Sequence, residues 1–161
     1  MTPPSVFTLS TAADDGVPEG FRRLDETGPY FQQLGPVYAR ETETGGVVLG
    51  LRVARNHLNV QGITHGGMLT TLADGALGIN VWLARRQRSA QVTVSLTVDF
   101  LSSARVDEWL EAHVTIHRLG RTLAYASCDL KVGARQVLRS SGVFALLDRP
   151  LPEGALPPQD G

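Results

Sequence analysis

An aspartate lies inside the most apolar segment of the sequence. Asp74 has Leu72, Ala73, Ala76 and Leu77 as close neighbours, and aspartate is a poor residue for the interior of a helix. A carboxylate in such surroundings must be paired or solvated, because burying an isolated charge is costly. Two interpretations follow. Asp74 is either a structural carboxylate, paired with an arginine or lying on a wet stripe of the helix, or a general base in a cleft.

Two adjacent glycines, Gly66 and Gly67, open the same segment directly after His65. The first N–H groups of a helix lack partners and lie at the positive end of its dipole, and glycine lets a ligand approach them closely. They can hold a carbonyl oxygen that becomes an oxyanion; the alternative is a flexible turn. Asp74 lies eight residues after Gly66, which is about 12 Å along a helix. Within one chain the two residues are too far apart to act on the same small carbonyl group. We therefore expect a second subunit to complete the site.

The size and charge of the chain limit the classes of protein to which it can belong. Its 161 residues fit one domain with a sizeable core. The formal net charge of −1 provides no overall basic field, so neither nucleic acid nor an anionic membrane is expected as a partner. The apolar stretch 68–84 is interrupted by Asp74 and Asn80, and it is too short and too polar to span a membrane.

The single cysteine, Cys128, excludes an intrachain disulfide and favours a reducing compartment. Residues 1–18 contain no basic segment followed by an apolar run, so no signal peptide is predicted. Both features indicate a cytoplasmic protein. Fourteen of the 15 basic residues are arginine, which we interpret as the composition of a GC-rich bacterial source.

Hydrophobic periodicity predicts one long helix, six strands and two flanking segments. Residues 65–86 are apolar nearly all round, as in a buried helix. Val92, Val94, Leu96, Val98 and Phe100 alternate with polar residues, which predicts that these five share the inner face of a strand and that Thr93 lies on the other. The remaining predicted segments are a loose arm at 1–18, a short kinked helix at 20–34, strands at 37–43, 47–54, 92–100, 109–117, 122–132 and 136–147, and a Pro-rich tail at 148–161.

The order of these elements predicts an α+β architecture in one domain over residues 19–147. The connections between the last four strands are short, which favours antiparallel neighbours. An antiparallel sheet of about six strands would then wrap around the long central helix. One sheet leaves part of that helix exposed to water, and we expect a second subunit to cover it in a dimer.

Several residue types recur at fixed spacing around the start of the helix: Asn59, Gly62, His65, Gly66, Gly67 and, nine residues after the histidine, Asp74. This motif resembles the signature of the hot-dog thioesterase superfamily, in the PaaI-like group of the phenylacetic-acid pathway. The similarity spans about residues 35–147. It implies a hot-dog fold, an acyl-CoA substrate, no cofactor, and a homodimer or a dimer of dimers.

The resemblance also implies a role for each residue of the site. The Gly66 N–H would polarise the thioester carbonyl, with Asn59 supporting the same region. Asp74 of the facing subunit would act as general base on water or as nucleophile. Thr93 matches a hydroxyl position that orients the attacking water in some members. His65 would organise the loop or assist the leaving thiolate.

Substrate binding is expected at Gly67, beside the oxyanion site, and at two further places. Some relatives have a threonine one turn after the carboxylate, where this chain has Gly78, and the glycine would leave room for the acyl group. Arg118 and Arg121 flank a tight turn and are candidates for the coenzyme A phosphates, with Arg121 favoured because relatives often carry a basic residue there. The arginines that end the helix, at 85, 86 and 88, are the second candidate group.

The implied reaction is hydrolysis of an aryl- or medium-chain acyl-CoA thioester. It needs one base and an oxyanion hole but no metal, and the four histidines and one cysteine have no zinc-ligand spacing. The main alternative is a non-catalytic hot-dog protein that binds acyl-CoA as a sensor. A hot-dog hydratase or dehydratase is the weaker alternative, because the histidine pattern of those relatives is absent.

Overall fold

The computed structural model describes residue 9 and residues 16–25, 27–87 and 89–151. Within these ranges the chain forms one α-helix, seven strands and two short 3-10 helices. The α-helix and the 3-10 helices are α1 (Gly66–Arg85), Phe31–Leu34 and Arg55–His57. The strands are β1 (Arg22–Arg23), β2 (Tyr38–Glu41), β3 (Val47–Arg52), β4 (Ser89–Phe100), β5 (Trp109–Leu119), β6 (Leu123–Val132) and β7 (Arg135–Pro150).

All seven strands form one antiparallel sheet in the order β1-β2-β3-β5-β6-β7-β4. The helix α1 packs against β3, β4, β5, β6 and β7, and its apolar side chains form the centre of the core. Buried α1 residues include Leu69, Leu72, Ala73, Ala76, Leu77 and Val81. The predicted α+β hot-dog architecture, an antiparallel sheet around a long central helix, is confirmed.

Side chains fix both ends of α1. At its start, the Nδ1 atom of His65 accepts a hydrogen bond of 2.9 Å from the Gly67 N–H, which satisfies one of the open donors of the first turn. At its end, Arg86 adopts a left-handed conformation with φ 53°. Arg85 donates to the backbone carbonyls of Ala90 and Leu147 at 3.1 and 3.4 Å, so it ties the helix to β4 and β7.

A buried amide holds the β2–β3 hairpin against the same helix. Asn80 accepts from the Val47 N–H at 2.9 Å and donates to the Val47 carbonyl at 3.0 Å. The predicted turn at 44–46 is present, with Gly45 at φ 82°. The amide therefore fixes the helix relative to the sheet at the opposite end from His65.

The predicted kinked helix at 20–34 is wrong. Arg22 and Arg23 pair with β2, and only Phe31–Leu34 are helical, as a single 3-10 turn. The backbone of this segment adds to the edge of the sheet, which outweighs the weak helical spacing of its apolar residues. The strand β7 also runs to Pro150, three residues into the predicted tail. Residues 152–161 and most of the predicted arm lie outside the described residues.

Candidate active site

Asp74 and Thr93 meet between α1 and β4. The Thr93 hydroxyl donates a hydrogen bond of 2.8 Å to Oδ1 of Asp74, and Asp74 is half-buried. Within the described ranges no arginine, lysine or histidine lies at ion-pair distance from Asp74. The carboxylate is therefore held by a hydroxyl, and no cation among the described residues neutralises it.

A β-bulge in β4 aims Thr93 at the helix. Thr93 pairs with Phe144 whereas Ser95 pairs with Val143, so Val94 is an extra residue in the ladder. The bulge reverses the alternation, because Thr93 before it and Leu96 after it both line the same cavity on the α1 side.

The predicted face assignment of β4 is therefore wrong on the N-terminal side of the bulge. Val92 and Val94 are 48% and 60% exposed, whereas Leu96 and Val98 pack against the core. Thr93 takes the inner position that Val92 and Val94 were expected to hold.

Asp74 and Thr93 lie on the wall of a cavity of about 670 Å³ between α1, β4 and residues 27–31. His57 contacts the end of the 3-10 turn that follows this segment, because its Nε2 lies 2.7 Å from the Leu34 carbonyl oxygen. Apolar side chains make up most of the wall: Phe31, Ile79, Trp82, Leu96 and Phe144. A carboxylate beside a largely apolar cavity is suited to a substrate with an apolar group next to its reactive bond.

Two helix glycines, Gly75 and Gly78, also line the cavity. At Gly75 the ring of Phe31 occupies the space of a side chain, since an added Cβ would lie 2.7 Å from Phe31 Cδ2. At Gly78 an added Cβ would approach Gln91 Nε2 and Phe144 Cε1 no closer than 3.7 Å. Gly75 therefore leaves space for the ring of Phe31, and Gly78 leaves open volume beside the cavity.

The start of α1 presents one open backbone donor. Gly67 N–H is bound by His65, and Met68 N–H donates to the His65 carbonyl at 3.0 Å. For the Gly66 N–H the described part of the chain contains no acceptor. Phe100 lies beside this group, since a Cβ on Gly66 would be 3.1 Å from Phe100 Cζ. Of the two glycines, Gly66 is the one available to a ligand.

The other residues that the sequence analysis proposed for the site do not line the cavity. Asn59 Oδ1 accepts from the N–H groups of Gln61 and Ile63 at 2.9 and 3.4 Å, so Asn59 organises the loop before α1. Arg118 and Arg121 are exposed at the β5–β6 turn and do not line the cavity. Arg85 is engaged by backbone carbonyls, which makes it unsuited to a phosphate.

The cavity wall also contains residues that the sequence did not mark as part of a site, among them Phe31, Gly75 and Gln91. Gly75 could have been noticed, because glycine is costly in a helix interior and directly follows Asp74. Gln91 could have been noticed because it is polar and lies two residues before Thr93, on the same face of the strand. Phe31 carried no signal beyond that of a core residue.

The groups with shifted pKa values lie outside the cavity. Burial, and then the charge of Asp129, raises the pKa of Cys128 to about 12, so its thiol is inert at neutral pH. The pKa of Glu108 is lowered, because hydrogen bonds from Arg135 and the Arg105 N–H outweigh its partial burial. The carboxylate of Asp99 raises the pKa of Arg139.

Two further features can be stated for the described residues. Within them no group of three or more histidine, cysteine, aspartate or glutamate side chains is placed to hold a metal ion. None of the helices in those same ranges is both long and apolar enough to cross a membrane.

The comparisons with known proteins give the same class as the fold. The family model described as the thioesterase superfamily matches residues 61–138. A Pseudomonas aeruginosa protein, provisionally named an esterase, is 42% identical over 130 residues, which are 81% of this chain and 97% of the relative. Human acyl-coenzyme A thioesterase 13 is 24% identical over 132 residues, 82% of this chain and 94% of the human protein.

Among solved structures, a phenylacetic acid degradation-related protein of Ralstonia eutropha superimposes with a TM-score of 0.66. It is 20% identical, and the match covers 74% of this chain and 91% of that chain. The chain belongs to the thioesterase superfamily and is a thioester hydrolase. The family predicted from the motif at the start of α1 is thereby confirmed.

Proposed function

We propose that this thioester hydrolase cleaves aryl- or medium-chain acyl-CoA to the free acid and coenzyme A. The observation that carries the proposal is the Asp74–Thr93 pair on the wall of a largely apolar cavity. The cavity would bind the acyl group, and the carboxylate would lie beside the thioester carbonyl. The name of a relative, human acyl-coenzyme A thioesterase 13, gives acyl-coenzyme A as its substrate. The lone cysteine supports a cytoplasmic location.

In the proposed mechanism Asp74 acts as a general base. The Thr93 hydroxyl occupies Oδ1, so Oδ2 is free to accept a proton from water. The water oxygen bonds to the thioester carbon, and the carbonyl electrons move to its oxygen, where a Gly66 N–H stabilises the charge. Collapse of this intermediate breaks the carbon–sulfur bond, and the thiolate leaves with the proton held by Asp74.

The Gly66 N–H belongs to a second subunit in this proposal. The strand β4 runs antiparallel to α1, because Phe100 lies beside Gly66 whereas Thr93 lies beside Asp74. A two-fold axis near the middle of β4, close to Leu96, would place residue 93 of one chain opposite residue 100 of the other. Asp74 of one subunit would then face Gly66 of its partner.

The outer edge of β4 supports this arrangement. No strand among the described residues pairs with that edge, and Val92, Val94 and Phe100 are 48%, 60% and 56% exposed. A long apolar edge strand is normally covered, because its open N–H and C=O groups invite pairing. We therefore propose a homodimer joined through β4, with a dimer of dimers as the larger assembly.

Replacing Asp74 by asparagine tests the proposal. The substitution keeps the shape of the side chain and its hydrogen-bonding oxygen but removes the base. Thiol release from hexanoyl-CoA or phenylacetyl-CoA should fall roughly 100- to 10,000-fold, the usual contribution of a general base, with the melting temperature and dimer unchanged. Asp107→Asn is the matched control, because Asp107 lies in an exposed loop at φ 69°, which asparagine tolerates. Wild-type turnover in Asp74→Asn would refute the assignment.

A further inference from the structure

The side chain of Gln91 has an unusual position in the cavity wall. Its Nε2 donates a hydrogen bond of 2.6 Å to the carbonyl of Gly78, which anchors β4 to α1. Its Oε1 is buried, and no donor for it is found among the described residues. Native proteins rarely leave a buried acceptor without a partner, because the lost solvation costs about 1–3 kcal/mol. The oxygen therefore calls for a donor that the described residues do not supply.

Three hydroxyl groups of this wall already donate to acceptors of their own. The hydroxyls of Thr70 and Thr71 donate to the carbonyls of Gly66 and Gly67 at 2.8 and 2.9 Å. The Thr93 hydroxyl donates to Asp74. Because these donors have acceptors of their own, none of them serves the Gln91 oxygen, and the neighbouring wall residues Ile79, Leu96 and Phe144 are apolar.

Gln91 lies a short distance from the proposed position of the thioester bond. Gln91 lies two residues before Thr93 on β4, about 6.6 Å along the strand. Its partner Gly78 is one helical turn beyond Asp74, about 6 Å along α1. An acyl chain whose carbonyl lies beside Asp74 and Thr93 would run along the two glycines and pass Gln91 four to six atoms later.

We propose that Gln91 determines specificity by accepting a hydrogen bond from a hydroxyl group at the far end of the acyl chain. This inference rests on the proposed acyl-CoA hydrolysis and names its substrate class: an acyl group that is apolar along its length and hydroxylated near its end. A modest rotation of the amide about its hydrogen bond to Gly78 turns Oε1 toward the cavity. The hydroxyl then satisfies the oxygen, whereas an unsubstituted chain leaves it buried and unpaired.

The test measures binding separately from turnover. Calorimetric titrations compare hexanoyl-CoA with 6-hydroxyhexanoyl-CoA on the Asp74→Asn protein, which does not consume its ligand under the proposed mechanism. The same pair is titrated against Asp74→Asn/Gln91→Met, in which an apolar side chain of similar length replaces the amide. Asp74→Asn/Gln136→Met is the matched control, because Gln136 binds Asp129 and does not line the cavity.

We expect the hydroxylated thioester to bind Asp74→Asn about tenfold or more tightly than hexanoyl-CoA. Gln91→Met should bring the ratio of the two Kd values close to one, and Gln136→Met should leave it unchanged. Equal affinities in Asp74→Asn, or a preference that survives Gln91→Met, would overturn the role of Gln91. Failure of the proposed reaction is seen separately, as absence of thiol release by the wild-type protein. If neither thioester binds, both proposals are wrong.

Discussion

At the scale of single residues, one hydrogen bond sets the orientation of the proposed base. The Thr93 hydroxyl donates to Oδ1 of Asp74 at 2.8 Å, and hydrogen bonds to charged groups contribute about 1.5–3 kcal/mol. A carboxylate that loses this bond can rotate, and its second oxygen no longer points at a fixed water. In the proposed mechanism Thr93 is thus a positioning residue, and its replacement should change kcat and not KM.

Thr93→Val tests this role with a side chain of the same shape. We expect kcat for hexanoyl-CoA to fall roughly 10- to 100-fold, as the loss of one charge-assisted hydrogen bond implies, with KM changed less than threefold. Thr93→Ser keeps the hydroxyl and should retain most of the wild-type kcat. Steady-state thiol release gives both constants, and equal rates for the valine and serine variants would contradict the positioning role.

The sequence marks some residues of the candidate site more clearly than others. The helix-start motif singled out Asp74, His65 and Gly66. The structure places Asp74 in the cavity wall and His65 at the cap of α1, and the Gly66 N–H has no acceptor among the described residues. Thr93 was placed on the wrong face by alternation alone and was implicated only by the family resemblance. No local pattern marks Phe31 as part of the cavity, because its contact with Gly75 depends on how residues far apart in sequence pack.

At the scale of elements, the long helix and the long strands could be predicted, whereas the β-bulge and the first strand could not. The helix is apolar all round because the sheet covers it, and that pattern is visible in sequence. The bulge adds one residue, Val94, without any glycine or proline to mark it. The two-residue strand β1 forms only because β2 offers it an edge, which is a tertiary effect.

The two cavity glycines of α1 should respond oppositely to alanine. Alanine is about 1 kcal/mol more favourable than glycine in a helix interior. Gly78→Ala has room, with its nearest contacts at 3.7 Å, and should raise the free energy of unfolding by up to about that amount. Gly75→Ala collides with the Phe31 ring and should lower it, since overpacking typically costs about 1–3 kcal/mol.

Urea denaturation of both single variants measures the difference. Phe31→Ala removes the ring that Gly75 accommodates, so Gly75→Ala should no longer destabilise the protein in that background. If Gly75→Ala is as stable as Gly78→Ala in the wild-type background, the close packing of Phe31 against α1 is wrong.

At the scale of the whole molecule, Gly66 and Asp74 stand about 12 Å apart along one helix, yet the proposed mechanism needs both at one carbonyl. The antiparallel course of β4 beside α1, with Phe100 at Gly66 and Thr93 at Asp74, resolves this in a two-fold dimer. Each active site would then combine the base of one subunit with the oxyanion donor of the other.

Hybrid dimers distinguish a shared site from a site within one chain. Gly66→Pro removes the N–H at a helix position that favours proline, and His65, at ψ 134°, already has the extended backbone that precedes proline. Co-expression with two affinity tags isolates dimers that contain one chain of each kind. A hybrid of Asp74→Asn with Gly66→Pro keeps one complete shared site, so it should regain about half the wild-type rate from two inactive parents. A hybrid of the wild-type chain with the double variant Asp74→Asn/Gly66→Pro keeps none and should be inactive. If instead the site lies within one chain, the first hybrid should be inactive. The second hybrid should then show about half the wild-type rate, because its wild-type subunit works alone.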